Sequence, residues 1–386
     1  MKRHFPRQAL HWIAIILAAT TTAACAVDIT GTTGFGDSTG YQAKLAEYER
    51  IHGAYEARAE SYWDAVYEKR RERNARRRTH QPIALADYVL SQPPVYTGPP
   101  RPVDPNAPPP APSERPEIPM VADFLAAARE QWGFVPDQPR DERDFKRAYA
   151  QAAMAAGLTR QQVVGVYAFE TGGNGTYDTQ AGVSPKKARA ISPALGYNQV
   201  LSTLTISLLA EHGNEVLAAL RQEAASLSGE RRRRMEHKIA VLRRMIAFSR
   251  SVPHRWSEYE RLAKHSAKGL GIHAVLLDVD IGPLLQVQNL ANSVRYAHAR
   301  GFYGPLTAAE LELMNLTGTG NGLDMVMMPE NLRERVPTSN FFRRAGYQRN
   351  PVARRAKVVS GLIDEIQTHI ASARDNPGAR ELAAAF

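Results

Sequence analysis

An all-α fold is what this sequence predicts, and three observations predict it. Helix-start signatures of the S/T-x-x-E/Q type occur at Thr159–Gln162, Ser257–Glu260 and Thr307–Glu310. Apolar residues recur at helical spacing, as in Val163, Val166 and Tyr167, or in Val358, Leu362, Ile366 and Ile370. No convincing run of alternating apolar and polar residues marks a strand.

The chain has 386 residues, enough for one large domain or two ordinary ones. It opens like a bacterial export signal over residues 1–26. Lys2, Arg3 and Arg7 precede an apolar stretch from Trp12 to Ala19, and small residues follow from Thr20 to Ala26. The apolar stretch is too short to span a membrane. The sole cysteine, Cys25, closes this segment, and Thr22-Ala23-Ala24-Cys25 resembles a bacterial lipobox. Ala24-Cys25-Ala26 also fits the cleavage site of a plain secretory signal. The position of the only thiol favours lipidation of Cys25, and Ala26 behind it points, by the same resemblance, to the periplasmic face of the outer membrane. A single cysteine excludes an internal disulfide and a cysteine-based metal site.

Residues 27–92 read as a tether followed by a helix. Tyr41, Tyr48, Tyr55 and Tyr62 recur every seven residues, with Leu45, Ala59 and Val66 four places after three of them. That stripe suits a short coiled coil or a docked helix, and the 41–66 helix is where a protein partner would bind. Gly53 weakens it. The run from Lys69 to Arg78 is a solvated charged segment or a contact for anionic lipid or cell wall. Residues 93–119 are proline-rich, including Pro108-Pro109-Pro110, and read as a semi-rigid linker.

A helical globular domain is expected over 120–373, with 374–386 as a C-terminal tail. Ser192-Pro193 reads as the start of a helix ending near Gly213. Arg231 to Arg244 reads as a very basic helix. The formal charge is +10. Such a chain could bind nucleic acid, anionic lipid or an acidic polymer. Export argues against nucleic acid and leaves the carboxylate-bearing cell wall, although a solvated basic surface accounts for most of the charge equally well.

The chemistry centres on Glu170. The helix opened by Thr159 and Gln162 runs to Glu170-Thr171-Gly172-Gly173, and the glycines suit the left-handed turn that stops a helix. Glu170 therefore sits in the last turn, where the macrodipole is negative. That field, and burial against Phe169 or Tyr167, both disfavour a charged carboxylate. A carboxylic acid protonated near neutrality is what protonating a glycosidic oxygen requires. An exposed glutamate near a helix end is the ordinary alternative for any single Glu.

Three further segments follow: Gly196-Tyr197-Asn198-Gln199, Met314-Asn315-Leu316-Thr317-Gly318, and Phe341-Phe342-Arg343-Arg344-Ala345-Gly346-Tyr347. With Glu170-Thr171 before them, their order over about residues 120 to 360 resembles the lytic transglycosylases. These are lysozyme-like enzymes that cut peptidoglycan, so the resemblance implies a lysozyme-like helical domain. In that family the acid is followed by Ser or Thr, which Thr171 matches. A Gly-Leu-Met-Gln segment lines the groove; its counterpart here keeps the Gly and Gln and implies substrate contacts at Tyr197 and Gln199. An Ala-Tyr-Asn-Ala-Gly segment corresponds to the one containing Asn315 and Gly318, with Met314 in the place of Tyr and one extra residue before the glycine. The last segment resembles the one whose Tyr hydrogen-bonds the acid, a role that falls to Tyr347; a core Tyr is the alternative.

The resemblance implies non-hydrolytic cleavage between N-acetylmuramic acid and N-acetylglucosamine. Glu170 protonates the leaving oxygen, then takes a proton from the C6 hydroxyl, and a 1,6-anhydro sugar forms. A hydrolase would want a second carboxylate. Asp178, Asp278, Asp280 and Asp324 are options that nothing in the sequence ties to the site. A lysozyme-type hydrolase and a non-catalytic wall-binding lipoprotein are the other two readings. No zinc motif, phosphate loop or nucleophilic-serine elbow is present, so no cofactor or metal is expected.

Overall fold

The computed structural model describes residues 38–107, 117–184 and 187–386. The export signal of 1–26 with Cys25, the first part of the tether and Pro108-Pro109-Pro110 lie outside the described residues.

The described chain is helical nearly throughout. Its α-helices are α1 (Ser38–Arg78), α2 (Val121–Trp132), α3 (Glu142–Ala155), α4 (Arg160–Thr171), α5 (Ser202–Ser226), α6 (Gly229–Ser249), α7 (Trp256–His265) and α8 (Ala267–Ile272). Then come α9 (Gly282–Ala299), α10 (Ala308–Thr317), α11 (Thr319–Val326), α12 (Glu330–Arg333), α13 (Arg344–Arg349), α14 (Pro351–Ala356), α15 (Val359–Ala373) and α16 (Pro377–Ala383). Two-residue strands β1 (Val183–Ser184) and β2 (Lys187–Ala188) pair antiparallel, with Val183 opposite Ala188. No single helix among the described residues is long and apolar enough to cross a membrane.

The chain forms two compact units. One comprises Ile118–Met327 and Ile363–Phe386; the other comprises Met328–Leu362 and the described residues before Glu117. The expected single domain over 120–373 is therefore divided, because residues 328–362 fold with α1. The expected tail over 374–386 is also an element of the first unit. Ala379 and Leu382 of α16 are fully buried, and Glu381 accepts from Lys146 Nζ at 2.7 Å and from Arg143 Nε at 2.8 Å.

In the first unit, α5 and α6 pack side by side over Ile206, Leu209, Leu220, Leu242 and Met245, with Phe124, Ala128 and Trp132 of α2 in the same core. The basic stretch on α6 is one exposed face of an amphipathic helix, since Met235, Ile239, Leu242, Met245 and Ile246 point inward. Lys238 is the exception. It is buried and paired with Asp278 at 2.9 Å and Asp137 at 3.0 Å, and it also binds Asp280. The helix expected from Ser192 begins only at Ser202. Ser192 Oγ instead accepts from the Ala194 N–H, and Leu195 pairs with Val200 around a tight turn. Gly213 lies inside α5, where Ile246 of α6 crosses it. Helix α7 starts at Trp256, one residue before the expected Ser257, and its N-cap Arg255 makes no side-chain bond.

In the second unit, the tyrosine stripe of α1 is occupied by the chain's own linker. Tyr96 packs edge-on against Tyr55 and Tyr48, with ring centroids 5.3 Å and 6.3 Å away. Tyr62 hydrogen-bonds Ser339 Oγ at 2.6 Å. The basic run is two-faced. Arg71 is exposed, whereas Arg73 is buried, donates to the Asp87 and Asn340 carbonyls and lies 4.3 Å over the Tyr88 ring. Arg70 donates to the carbonyls of Asn340 and Phe342. These arginines satisfy backbone oxygens that would otherwise be left without donors.

Candidate active site

Helix α4 places Glu170. The capping box at its start is formed: Thr159 Oγ1 accepts from the Gln162 N–H, and Gln162 Oε1 accepts from the Thr159 N–H at 2.8 Å. At its end Gly172 takes the left-handed conformation at φ 62°, which a side chain would resist. The Gly172 carbonyl accepts from Asn376 Nδ2 at 2.8 Å, so the helix end is tied down from outside.

Helix α10 brings the partners. Gln162 Nε2 donates to the Leu306 carbonyl at 2.7 Å just before α10 begins. One turn on, Gly165 lies against Ala308 with no space for a Cβ between them. The two helices thus run alongside each other in the same direction. Glu170 arrives at the level of Glu312 and Asn315, which lie three residues apart on one face of α10.

There, Asn315 Nδ2 donates to Glu170 Oε1 at 2.7 Å. Asn289 Nδ2 of α9 donates to Asn315 Oδ1 at 3.0 Å, which fixes the amide so that its N–H₂ faces the acid. The Glu312 carboxyl lies beside Glu170, and neither of its oxygens has a hydrogen-bond partner unless one of the two carboxyls carries a proton. Glu312 is fully enclosed, whereas Glu170 as a residue is only half-buried. Burial pushes the Glu170 carboxyl well above its usual range, and the hydrogen bonds from Glu312 and Asn315 only partly offset this. Burial, then the adjacent Glu170, push Glu312 well above its usual range too. The two titrate as one unit. The site is therefore a buried carboxyl pair in which both groups hold their protons more tightly than usual, with Glu170 the less enclosed residue.

The other sequence-derived candidates fall elsewhere. Tyr197 is not a groove residue: it is fully buried among Phe145, Tyr149 and Tyr167, with its hydroxyl on Glu142. Its segment is a turn of the interior, in which Gly196 backs onto the Gln286 side chain and Asn198 accepts from Tyr149 and donates to the Gln286 carbonyl. Gln199 donates its side-chain amide to the carbonyls of Thr179 and Gly196, which commits that end to the same turn. Gly318 is the exposed break between α10 and α11 at φ 83°, and Gly320 and Gly322 lie inside α11 rather than in a loop. Tyr347 belongs to the second unit. There its ring meets Trp63 at 5.7 Å and Phe342 at 6.2 Å.

Three of the four alternative aspartates are engaged elsewhere. Asp278 and Asp280 hold Lys238, and Asp178 is exposed and accepts from Thr176 Oγ1 at 2.7 Å. Cavities of about 460 Å³ on α3, beside Arg140 and Asp144, and about 350 Å³ between α5 and α6, do not include Glu170. Glu312 is the member of this carboxyl pair that sequence reasoning missed. The available signal was a single carboxylate within the apolar stretch Ala309, Leu311, Leu313, Met314, three residues before Asn315.

No family model, curated protein or solved structure matches this chain.

Proposed function

We propose that this protein is a peptidoglycan lytic transglycosylase with a lysozyme-like helical domain, and that Glu170 is its acid and base. One observation carries the reading: a carboxyl kept protonated by burial, on a residue that is not fully enclosed, and held by the Asn315 amide at 2.7 Å. That is the state a general acid needs before a glycosidic oxygen. In this reading Glu170 passes its proton to the leaving oxygen between N-acetylmuramic acid and N-acetylglucosamine. The C6 hydroxyl then closes on C1, and its proton returns to Glu170. The export signal and Cys25 would place the enzyme in the periplasm, lipid-anchored to the outer membrane.

The carboxyl arrangement favours this outcome over hydrolysis. A retaining hydrolase sets its second carboxylate about 5 Å from the first and an inverting one farther still, on the opposite face of the sugar. Glu312 lies directly beside Glu170, and Asp178, Asp278 and Asp280 are engaged elsewhere. The burial of Tyr197 and Asn198 favours one competing reading, a wall-binding protein without turnover, because that segment offers sugar no side chain. Mass spectrometry of purified cell wall treated with the protein separates the readings. Anhydro-ended fragments, absent with Glu170→Gln, are expected. Reducing ends would mean hydrolysis, and binding without fragments would mean a scaffold.

A further inference from the structure

The carboxyl of Glu312 has no ordinary reason to be where it is. It is fully enclosed on the apolar side of α10, and neither of its oxygens has a backbone N–H, a hydroxyl or a cation as partner. A carboxylate in such a place would bear a large desolvation penalty, so the group stays neutral. A neutral carboxylic acid has one O–H to place. The acceptor beside it is Glu170, the same carboxyl that Asn315 approaches with its amide at 2.7 Å.

We propose that Glu312 is a positioning residue: an uncharged carboxylic acid that donates a hydrogen bond to Glu170 and steadies the carboxylate left when Glu170 gives up its proton. The proposal rests on Glu170 being the acid and base of the reaction described above. Glu170 is the member of the pair that ionises, because it is the less enclosed residue and takes the Asn315 amide at 2.7 Å, whereas Glu312 is fully buried. The proton of Glu312 does not travel. The proton on Glu170 goes to the leaving oxygen, Glu170 becomes a carboxylate accepting from both Glu312 and Asn315, and the C6 proton then restores it. The arrangement makes Glu170 a better leaving site for its proton than burial alone would allow.

The surroundings leave Glu312 no other ionic partner on the packed helices. From α4 the titratable group facing it is Glu170. On α9, Arg295 is bound to Asn292, Arg300 lies over Tyr296, and His298 stacks on Tyr303. On α11 the titratable residue is Asp324, another acid. On α10 itself Glu310 is bound to Thr307 at the helix start.

Two substitutions and one spectroscopic measurement test this. In Glu312→Gln the amide N–H₂ can donate in place of the O–H. Its kcat for wall-fragment release should stay within about threefold of the wild type, and the alkaline limb of the pH–rate profile should barely move. Glu312→Met fills the space without a donor. It should lose about tenfold to a hundredfold in kcat, the worth of one hydrogen bond to a charged group, and its alkaline limb should shift upward. A limb that moves downward in Glu312→Gln would show that Glu312 is charged, and a Glu312→Met enzyme that matches the wild type would show that it does nothing; either overturns the proposal. Infrared difference spectra of the whole protein give a reading independent of activity. A protonated-carboxyl band should persist in Glu170→Gln well above neutral pH and vanish in Glu170→Gln/Glu312→Gln. Absence of that band overturns the proposal. If the band is present but the wild type releases no wall fragments, the assigned reaction fails while Glu312 remains a neutral donor.

Discussion

Gly165 of α4 and Ala308 of α10 touch so closely that a Cβ on the glycine would overlap the alanine methyl. This contact sets the spacing between the two helices and hence between Glu170 and its two partners, more than one turn farther along. Placing Val at position 165 must push the helices apart. We expect Gly165→Val to lower stability by about 1–3 kcal/mol, as overpacking does. It should also reduce fragment release by about a hundredfold, because displacing an acid by about 1 Å costs that much. Denaturant unfolding and product release measured on the same preparation check both. A variant that is less stable but fully active would mean that the spacing does not position the acid.

Asn315 holds Glu170 through its amide and is itself held by Asn289. Its hydrogen bond favours the ionised form of Glu170. Asn315→Leu removes that donor, so Glu170 should stay protonated to higher pH and the alkaline limb of the activity profile should move up. The base step weakens at the same time, and kcat should fall about tenfold. An unmoved limb would sink the role assigned to Asn315.

The pair also makes stability depend on pH. Unfolded, both carboxyls titrate near 4.5; folded, burial keeps both protonated above that value. Below 4.5 the folded and unfolded chains hold the same protons and stability is full. As pH rises, the unfolded chain releases protons that the folded chain keeps. Stability then falls at about 1.4 kcal/mol per pH unit for each carboxyl, until the folded pair itself titrates. His273 acts in the opposite direction. Burial lowers it from 6.5 to about 4, so folding loses stability as pH falls through that interval. Above 4.5 the decline from two carboxyls outweighs the rise from one histidine, so from these groups maximum stability should lie between about 4 and 4.5. Denaturant midpoints across pH should show Glu170→Gln/Glu312→Gln losing much of the decline on the alkaline side.

Lys238 is a buried cation among Asp137, Asp278 and Asp280, and it joins α6 to the segment that precedes α9. Lys238→Met leaves the fully buried Asp278 without its counter-ion. A loss of about 3–5 kcal/mol is expected, the range for breaking a buried ion pair by removing one partner. Glu170 lies outside this cluster, so fragment release per folded molecule should be unchanged. Thermal unfolding with an activity assay at low temperature measures the two separately.

Helix α4 was legible in the sequence because its signals are local. Thr159, Gln162 and Gly172 lie in one short segment and act through bonds within a turn or two. The same holds for Thr307 and Glu310 at the start of α10. Ser257 and Ser192 carry similar signals and do not cap a helix, since packing of the flanking chain sets those starts. Tyr197 illustrates the limit. A glycine, an aromatic and two amides in a row suit either a sugar-binding wall or a buried turn, and only the neighbours Phe145, Tyr149 and Tyr167 decide between them.

Sequence alone determined the helical character of the chain and the position of Glu170 in the last turn of a helix, because periodicity and capping depend on residues a few places apart. Tertiary structure alone decided what surrounds that acid. Glu312 and Asn315 are more than 140 residues away from it along the chain, and they meet it only because Gly165 lets α10 lie close to α4. Tyr347 was drawn to Trp63 and Phe342 in the other unit by the same kind of long-range packing. A pair of carboxyls that must share protons is a property of proximity, and proximity across that separation is set by how helices pack.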